Sequence, residues 1–159
     1  MLKHWPLASS ALASASSQGY AALSRGVQDP EPVIRRKMAF LVGTLTMQSG
    51  EEYEGDIPGE VRDLVETHTK SGAVDESLVA GLKREGVYAA MINGLKEDGG
   101  DVEYEENVVK ALSKAAEKDG LTSEQKEEVK SVWNRWGKAG QEDRGLEGED
   151  ATEINKIFS

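Results

Sequence analysis

The stretch from Pro32 to Met47 has the clearest helical pattern in the chain. It follows Asp29-Pro30-Glu31, a sequence that favours a turn. Proline suits the first turn of a helix, because its missing N–H would have no intrahelical partner there. Apolar residues then recur at the spacing of one helical face, at Ile34, Met38, Leu41, Val42 and Leu45. The pattern therefore predicts a helix over Pro32–Met47.

This helix also carries a second apolar line along its flank, formed by Val33, Phe40 and Met47. A helix that is apolar on two sides is expected to lie between neighbouring elements. Polar and small residues lie between the two apolar lines, and we predict that they face water or a partner protein. This predicted strip consists of Arg35, Arg36, Ala39, Gly43 and Thr46.

Similar patterns predict helices along the rest of the chain, and strand-like runs of Val, Ile and Thr are scarce. Thr122 and Gln125 have the spacing of a capping box, which satisfies backbone N–H groups at a helix start. We therefore predict an all-α protein. The predicted helices span 7–17, 20–28, 32–47, 58–70, 75–86, 87–95, 103–118 and 122–136. Residues 137–159 are predicted to be a polar, flexible tail, with a last helical turn at 152–158.

Two segments of the chain share the pattern Tyr-Ala-Ala-apolar-x-x-Gly-apolar, one at Tyr20–Val27 and one at Tyr88–Leu95. Each precedes a loop and a long helix, and the core positions of those helices correspond as well. A chance match in an Ala-rich helical protein is the alternative. Three helices in about 40–47 residues are typical of armadillo and HEAT repeats. We predict an armadillo-like superhelix over 1–136, with unit one at 7–47, an inserted helix at 58–70, unit two at 75–118 and a C-terminal helix at 122–136.

Composition and charge narrow the classes of function. The chain has 159 residues and a formal net charge of -10, so phosphate backbones and anionic membrane surfaces are unfavourable partners. It has no cysteine, which excludes disulfides and thiolate metal sites and fits a reducing compartment. No apolar run approaches the roughly 20 residues that span a bilayer.

Few residues are candidates for chemistry. His4 and His68 lack metal-spaced neighbours and are expected to be structural. The segment 98–103 is a weak match to a calcium loop. Arg35-Arg36-Lys37 is the one dense basic cluster, either a solvated helix face or a surface that recognises a partner. Trp133 and Trp136 share a helix face, and core packing is favoured over an exposed pair.

Several segments, in order, resemble a known family. Asp29–Leu45 resembles the last full armadillo repeat of the Fes- and HspBP-type nucleotide exchange factors for heat-shock protein 70 chaperones, and the fungal members are the most similar. The resemblance begins at Leu2–Pro6 and resumes at Glu97–Val109 and at Leu121–Trp133, so that it covers most of 1–136. The N-terminal region and first repeats of the family have no counterpart here, and we expect a C-terminal portion.

The resemblance implies a cytoplasmic co-chaperone without catalytic activity. Such a protein would bind the ATPase domain of heat-shock protein 70 chaperones and promote ADP release. It would need no cofactor or metal, would not bind nucleotide directly, and would have no nucleic-acid or membrane partner. From their place on the predicted strip, Arg35, Arg36, Ala39, Gly43 and Thr46 are the expected partner-binding residues. The alternative is an armadillo- or HEAT-type adaptor without exchange activity.

Overall fold

A computed structural model describes residues 18–47, 59, 62, 78–97 and 101–158 of the chain. All regular secondary structure in these residues is helical, which confirms the all-α prediction. Residues 59 and 62 are helical as well. The helices are α1 (18–26), α2 (Pro32–Met47), α3 (Leu78–Arg84), α4 (Val87–Lys96), α5 (Val102–Glu117), α6 (Ser123–Asp143) and α7 (Glu149–Phe158).

The local sequence signals account for several helix boundaries. Helix α2 has the bounds that its pattern predicts. The capping box before α6 is confirmed: the Gln125 N–H donates to Thr122 Oγ1 at 3.1 Å, and the Thr122 N–H donates to Gln125 Oε1 at 2.9 Å. The predicted helix 7–17 and most of the inserted helix 58–70 lie outside the described residues.

The repeat in the sequence is matched by a repeat in burial. Tyr20, Leu23 and Val27 on α1 are buried, and so are the corresponding Tyr88, Met91 and Leu95 on α4. The glycine of each copy lets the following long helix come close. A Cβ on Gly26 would overlap the side chain of Met38, and a Cβ on Gly94 would overlap the hydroxyl of Tyr104.

Helices α2 and α5 form the most extensive helix–helix contact in the described part of the chain. They run parallel, because Arg36 at the start of α2 meets Asp101 beside the start of α5, and Thr46 near its end meets Lys118 just beyond α5. Ala111 lies beside Gly43 between these two contacts. Parallel stacking of the last helices of successive units is consistent with the predicted armadillo-like superhelix.

The prediction of a polar, flexible tail at 137–159 is wrong for the described residues. Gly137 interrupts α6 with a φ of 65°, and the helix then resumes up to Asp143. Beyond it, Leu146, Ile154 and Phe158 are buried in the common core. The predicted helical turn at 152–158 is confirmed as part of α7, but the spacing of its apolar residues does not show that they are buried, and only the packing of α7 against α5 and α6 shows their role.

Helix α7 is also held by polar contacts. The Trp133 indole N–H on α6 donates to Asn155 Oδ1 on α7 at 2.6 Å. Just before α7, Arg144 at the end of α6 lies with its Nε 3.4 Å from Glu105 Oε2 on α5. Trp133 is buried and Trp136 packs beside it edge-on at 6.3 Å, which confirms the core interpretation of this pair. The Arg144 guanidinium lies 4.0 Å from the Trp136 ring, a favourable cation–π distance.

Candidate partner-binding face

The two arginines of the predicted strip bind a carboxylate of their own chain. Arg35 Nη2 donates to Asp101 Oδ2 at 3.1 Å, and Arg36 Nε donates to Asp101 Oδ1 at 2.9 Å. Arg36 also lies 3.6 Å from the exposed Glu103 carboxylate. The Arg35 guanidinium is 5.0 Å from the ring of Tyr104. The charge of both arginines is therefore largely compensated within the molecule.

Asp101 is also the N-cap of α5, where its Oδ1 accepts the Tyr104 N–H at 3.2 Å. Burial favours the neutral acid and raises the pKa of Asp101. The hydrogen bonds from the Tyr104 N–H, Arg36 and Arg35 favour the carboxylate, and together they hold its pKa below the ordinary value of 3.8. Asp101 is therefore a carboxylate at neutral pH.

The other three strip residues lie between helices. Ala39 and Thr46 are completely buried, and a Cβ on Gly43 would lie 3.5 Å from the Cβ of Ala111. Thr46 Oγ1 donates to the Val42 carbonyl at 2.8 Å and lies 2.6 Å from the Tyr88 hydroxyl. Because the threonine proton is already used, the Tyr88 hydroxyl donates to Thr46.

The expectation that the predicted strip faces water is therefore wrong for Ala39 and Thr46. Arg35, Arg36 and Gly43 of the strip face α5 or its N-cap, and the small Gly43 lets the two helices approach closely. Thr46 instead contacts Tyr88 on α4. The error arose because short polar residues can be buried in a helix contact when their hydrogen bonds are satisfied. A partner-binding role for the half-exposed Arg35, Arg36 and Gly43 stays a prediction.

The side of α2 that is open to solvent carries Val33 and Phe40 of the second apolar line. Each of these two is 56% exposed, so the expected second neighbour is absent from the described residues, and Ile34 at the start of the first line is 40% exposed as well. Lys37 and Thr44 continue the same helical side, at spacings of three and four residues from Phe40. The signal was present in the sequence as an apolar line, but periodicity does not tell a partner surface from a core face.

Phe40 and Thr44 border a groove between α2, α5 and α7, with a cavity of about 270 Å³. Helix α5 contributes Asn107, Lys110 and Lys114 to it, and α7 contributes Asp150 and Glu153. Lys110 pairs with Glu106 at 2.9 Å, and Lys114 lies 3.7 Å from Glu153. We define the open face as Val33, Lys37, Phe40 and Thr44 on α2 with Asn107, Lys110 and Lys114 on α5.

The open face offers contact area and no reactive chemistry. No group of three or more histidine, aspartate or glutamate side chains is placed to hold a metal ion within the described ranges. Nor does any described helix combine the length and apolar character needed to cross a bilayer. An exposed aromatic side chain is typical of a surface that binds another protein, because aromatic residues are enriched at protein interfaces.

Comparison with known proteins decides the family relationship. The chain is 58% identical over 137 residues to the Hsp70 nucleotide exchange factor FES1 of Cryptococcus neoformans var. neoformans serotype D (strain B-3501A). This chain is a relative of the Fes-type proteins. The resemblance seen in the sequence segments is thereby confirmed.

The match with the Fes-type relative covers 84% of this chain and 36% of the relative. The chain thus spans about a third of the relative's length, which is consistent with the expected C-terminal portion. No family model matches the chain, and no solved structure matches it. The helical architecture of the described residues agrees with an armadillo-like Fes-type fold.

Proposed function

We propose that this chain is part of a cytoplasmic co-chaperone that binds the ATPase domain of Hsp70 chaperones and promotes ADP release. The observation that carries the proposal is the 58% identity to a protein named as an Hsp70 nucleotide exchange factor. The role is not chemical catalysis, and the proposal includes no cofactor and no nucleic-acid or membrane partner.

The physical basis of exchange is a difference in affinity between two states of the partner. A protein that binds the open state of an ATPase domain more tightly than the closed state shifts the equilibrium towards opening. ADP then leaves a cleft that no longer encloses it. Such a factor needs a rigid surface of matching shape, and no group that takes part in bond breaking.

We assign partner contact to the open face and not to the buried part of the predicted strip. Phe40 is large, aromatic and 56% exposed, and it lies next to Lys110 and Lys114 at the groove. Truncating a central aromatic residue of an interface commonly weakens binding by roughly tenfold or more. Ala39 and Thr46 are completely buried and offer no surface to a partner.

The test is the release of labelled ADP from an Hsp70 ATPase domain, with and without the chain. We expect faster release with the unaltered chain and a loss of that effect in Phe40→Ala. Arg135→Ala is the control, because Arg135 is an exposed residue of α6 that does not belong to the open face. This variant should still accelerate ADP release. A longer chain that restores the missing part of the relative serves as the positive control.

Three outcomes distinguish the alternatives. Accelerated release that Phe40→Ala abolishes supports both the function and the assigned face. Binding without accelerated release would favour an adaptor without exchange activity. No binding by this chain, while the longer chain binds, would place the contact surface outside this portion.

A further inference from the structure

Arg35 and Arg36 on α2 share the carboxylate of Asp101, which lies beside the start of α5. This arrangement lies at one end of the open face. We propose that Asp101 is a positioning residue for partner binding, because by holding Arg35 and Arg36 it fixes α2 against α5 and so sets the geometry of the open face. The binding part of this inference rests on the function proposed above.

The contacts at the start of the two helices form a connected network. Asp101 accepts from both arginines and from the Tyr104 N–H, so one side chain joins α2 to the first turn of α5. Its carboxylate is only 9% exposed. The network extends in both directions, since Asn107 Nδ2 donates to the Arg36 carbonyl at 3.3 Å and Arg35 Nη1 to the Asp29 carbonyl at 3.3 Å.

The other end of the helix pair is held differently. Lys118 Nζ donates to the Thr46 carbonyl at 2.8 Å through a long, flexible side chain. Between the two ends, the contact of Gly43 with Ala111 is close but has no polar component. The planar guanidinium groups of Arg35 and Arg36 therefore fix the orientation of α2 relative to α5 through Asp101. Charge-assisted hydrogen bonds to a carboxylate constrain geometry as well as distance.

The position of this attachment links it to the open face. Val33 and Lys37 each lie two residues from Arg35, about 3 Å along the helix axis. Loss of the Asp101 charge would remove the carboxylate that both guanidinium groups share, and Arg36 would keep only its longer contact with the exposed Glu103 among its described ion pairs. The start of α2 would then shift, and Val33 and Lys37 would move relative to Asn107 and Lys110.

Asp101→Asn is the informative variant, because asparagine is as good an N-cap as aspartate but carries no charge. Glu103→Gln is the matched control, since it makes the same chemical change two residues away, on the weaker partner of Arg36. The chain has no cysteine, so Lys37→Cys and Lys110→Cys allow two spin labels to be placed selectively on α2 and α5. Both positions are exposed.

The first measurement needs no partner. Double electron–electron resonance between the two spin labels measures the distance between α2 and α5. We expect a shifted or broadened distance distribution in Asp101→Asn and an unchanged one in Glu103→Gln. A distribution that Asp101→Asn leaves unchanged would overturn the inference, even if binding were weakened.

The second measurement is a double-mutant cycle on the unlabelled chain. We expect Asp101→Asn and Arg36→Ala each to weaken binding of the Hsp70 ATPase domain by about five- to tenfold, with no further loss when they are combined. If Arg36 contacted the partner directly, the two losses would multiply, and that result would overturn the positioning role. Absence of binding by both the unaltered chain and the longer chain would instead overturn the proposed function, while the label distances would still decide whether Asp101 holds α2 on α5.

Discussion

At the scale of single residues, hydrogen-bond partners decide which polar side chains are buried. Thr46 and Ala39 occupy a helix side that looks suited to solvent, yet both are completely buried. Thr46 is accommodated because its hydroxyl donates to the Val42 carbonyl and accepts from Tyr88. Burial raises the pKa of Tyr88 to about 12, although the hydrogen bond with Thr46 acts in the opposite direction.

The Thr46–Tyr88 pair predicts unequal costs for its two simplest substitutions. Thr46→Val removes the acceptor and leaves a buried Tyr88 hydroxyl unpaired, which should lower the free energy of unfolding by about 1–3 kcal/mol. Tyr88→Phe leaves Thr46 bonded to Val42 and should cost only about 1 kcal/mol. Urea unfolding of both variants measures the difference. Equal stability of Thr46→Val and the unaltered chain would mean that this hydroxyl pair is not buried.

The lowered pKa of Asp101 predicts the direction of an acid effect. A carboxyl group whose pKa is lower in the folded than in the unfolded chain stabilises the folded state fully at a pH above the unfolded pKa. This stabilisation disappears as the pH falls through the folded pKa. We expect the unaltered chain to unfold at a higher temperature than Asp101→Asn at pH 5–7. The two melting temperatures should converge below pH 3.8. A gap that is the same at every pH would show that the Asp101 charge is not involved.

At the scale of helices, close approach depends on glycines at the equivalent position of each repeat. Gly26 faces Met38, and Gly94 faces the Tyr104 hydroxyl, which donates to the Val27 carbonyl at 2.9 Å. Gly43 also lies at a helix contact, but there the neighbouring Ala111 leaves room for one methyl group. Glycines that look alike in the sequence therefore differ in what they permit.

We predict opposite effects for two glycine-to-alanine substitutions. Gly94→Ala should destabilise the chain by about 1–3 kcal/mol, because the new methyl overlaps the Tyr104 hydroxyl and disturbs its hydrogen bond. Gly43→Ala should be neutral or stabilise by about 0.5–1 kcal/mol, since alanine favours a helix interior and fits beside Ala111. Thermal unfolding followed by circular dichroism compares the two. A stabilised Gly94→Ala would contradict this packing.

The docking of α7 gives a second prediction for an element. Ile154 is buried and lies next to Asn155, which accepts the Trp133 indole N–H. Ile154→Asp should detach α7, expose Trp133 and shift tryptophan emission to longer wavelength, because a buried unpaired charge is strongly disfavoured. Lys156→Asp, on the exposed side of α7, should leave the emission unchanged. Identical spectra for the two variants would support a loose tail.

At the scale of the whole molecule, the open face is assembled from parts distant in sequence. Phe40 on α2 and Lys110 on α5 border one groove although they belong to different repeats. The units of a solenoid are stabilised chiefly by contacts with their neighbours, so the face is only as stable as the α2–α5 contact. Coupling between the two units should therefore be measurable.

A core substitution in one unit should weaken the other. Leu112 on α5 is completely buried, and Leu112→Ala should lower the free energy of unfolding by about 2–5 kcal/mol. Because α2 packs along α5, amide hydrogens of both helices should exchange faster by a similar factor. Hydrogen exchange with mass spectrometry follows each helix. Unchanged protection of α2 would show that the units unfold independently.

Local patterns were sufficient for much of this architecture. Apolar spacing, turn residues and the Thr122 capping box predicted the bounds of α2 and the start of α6, because these signals act within a few residues. The Tyr-Ala-Ala motif predicted equivalent buried positions in the two repeats. The segments that resembled the Fes-type family pointed to the relationship that 58% identity confirms.

Only the tertiary structure decided which side of α2 is covered. A helical period shows that Arg35, Arg36, Ala39, Gly43 and Thr46 share one side, but what covers that side depends on Asp101, Ala111 and Tyr88, which lie more than 40 positions away. The same holds for α7, whose few apolar residues are buried only because α5 and α6 supply a surface for them. Periodicity is a property of neighbours in sequence, whereas burial is a property of neighbours in space.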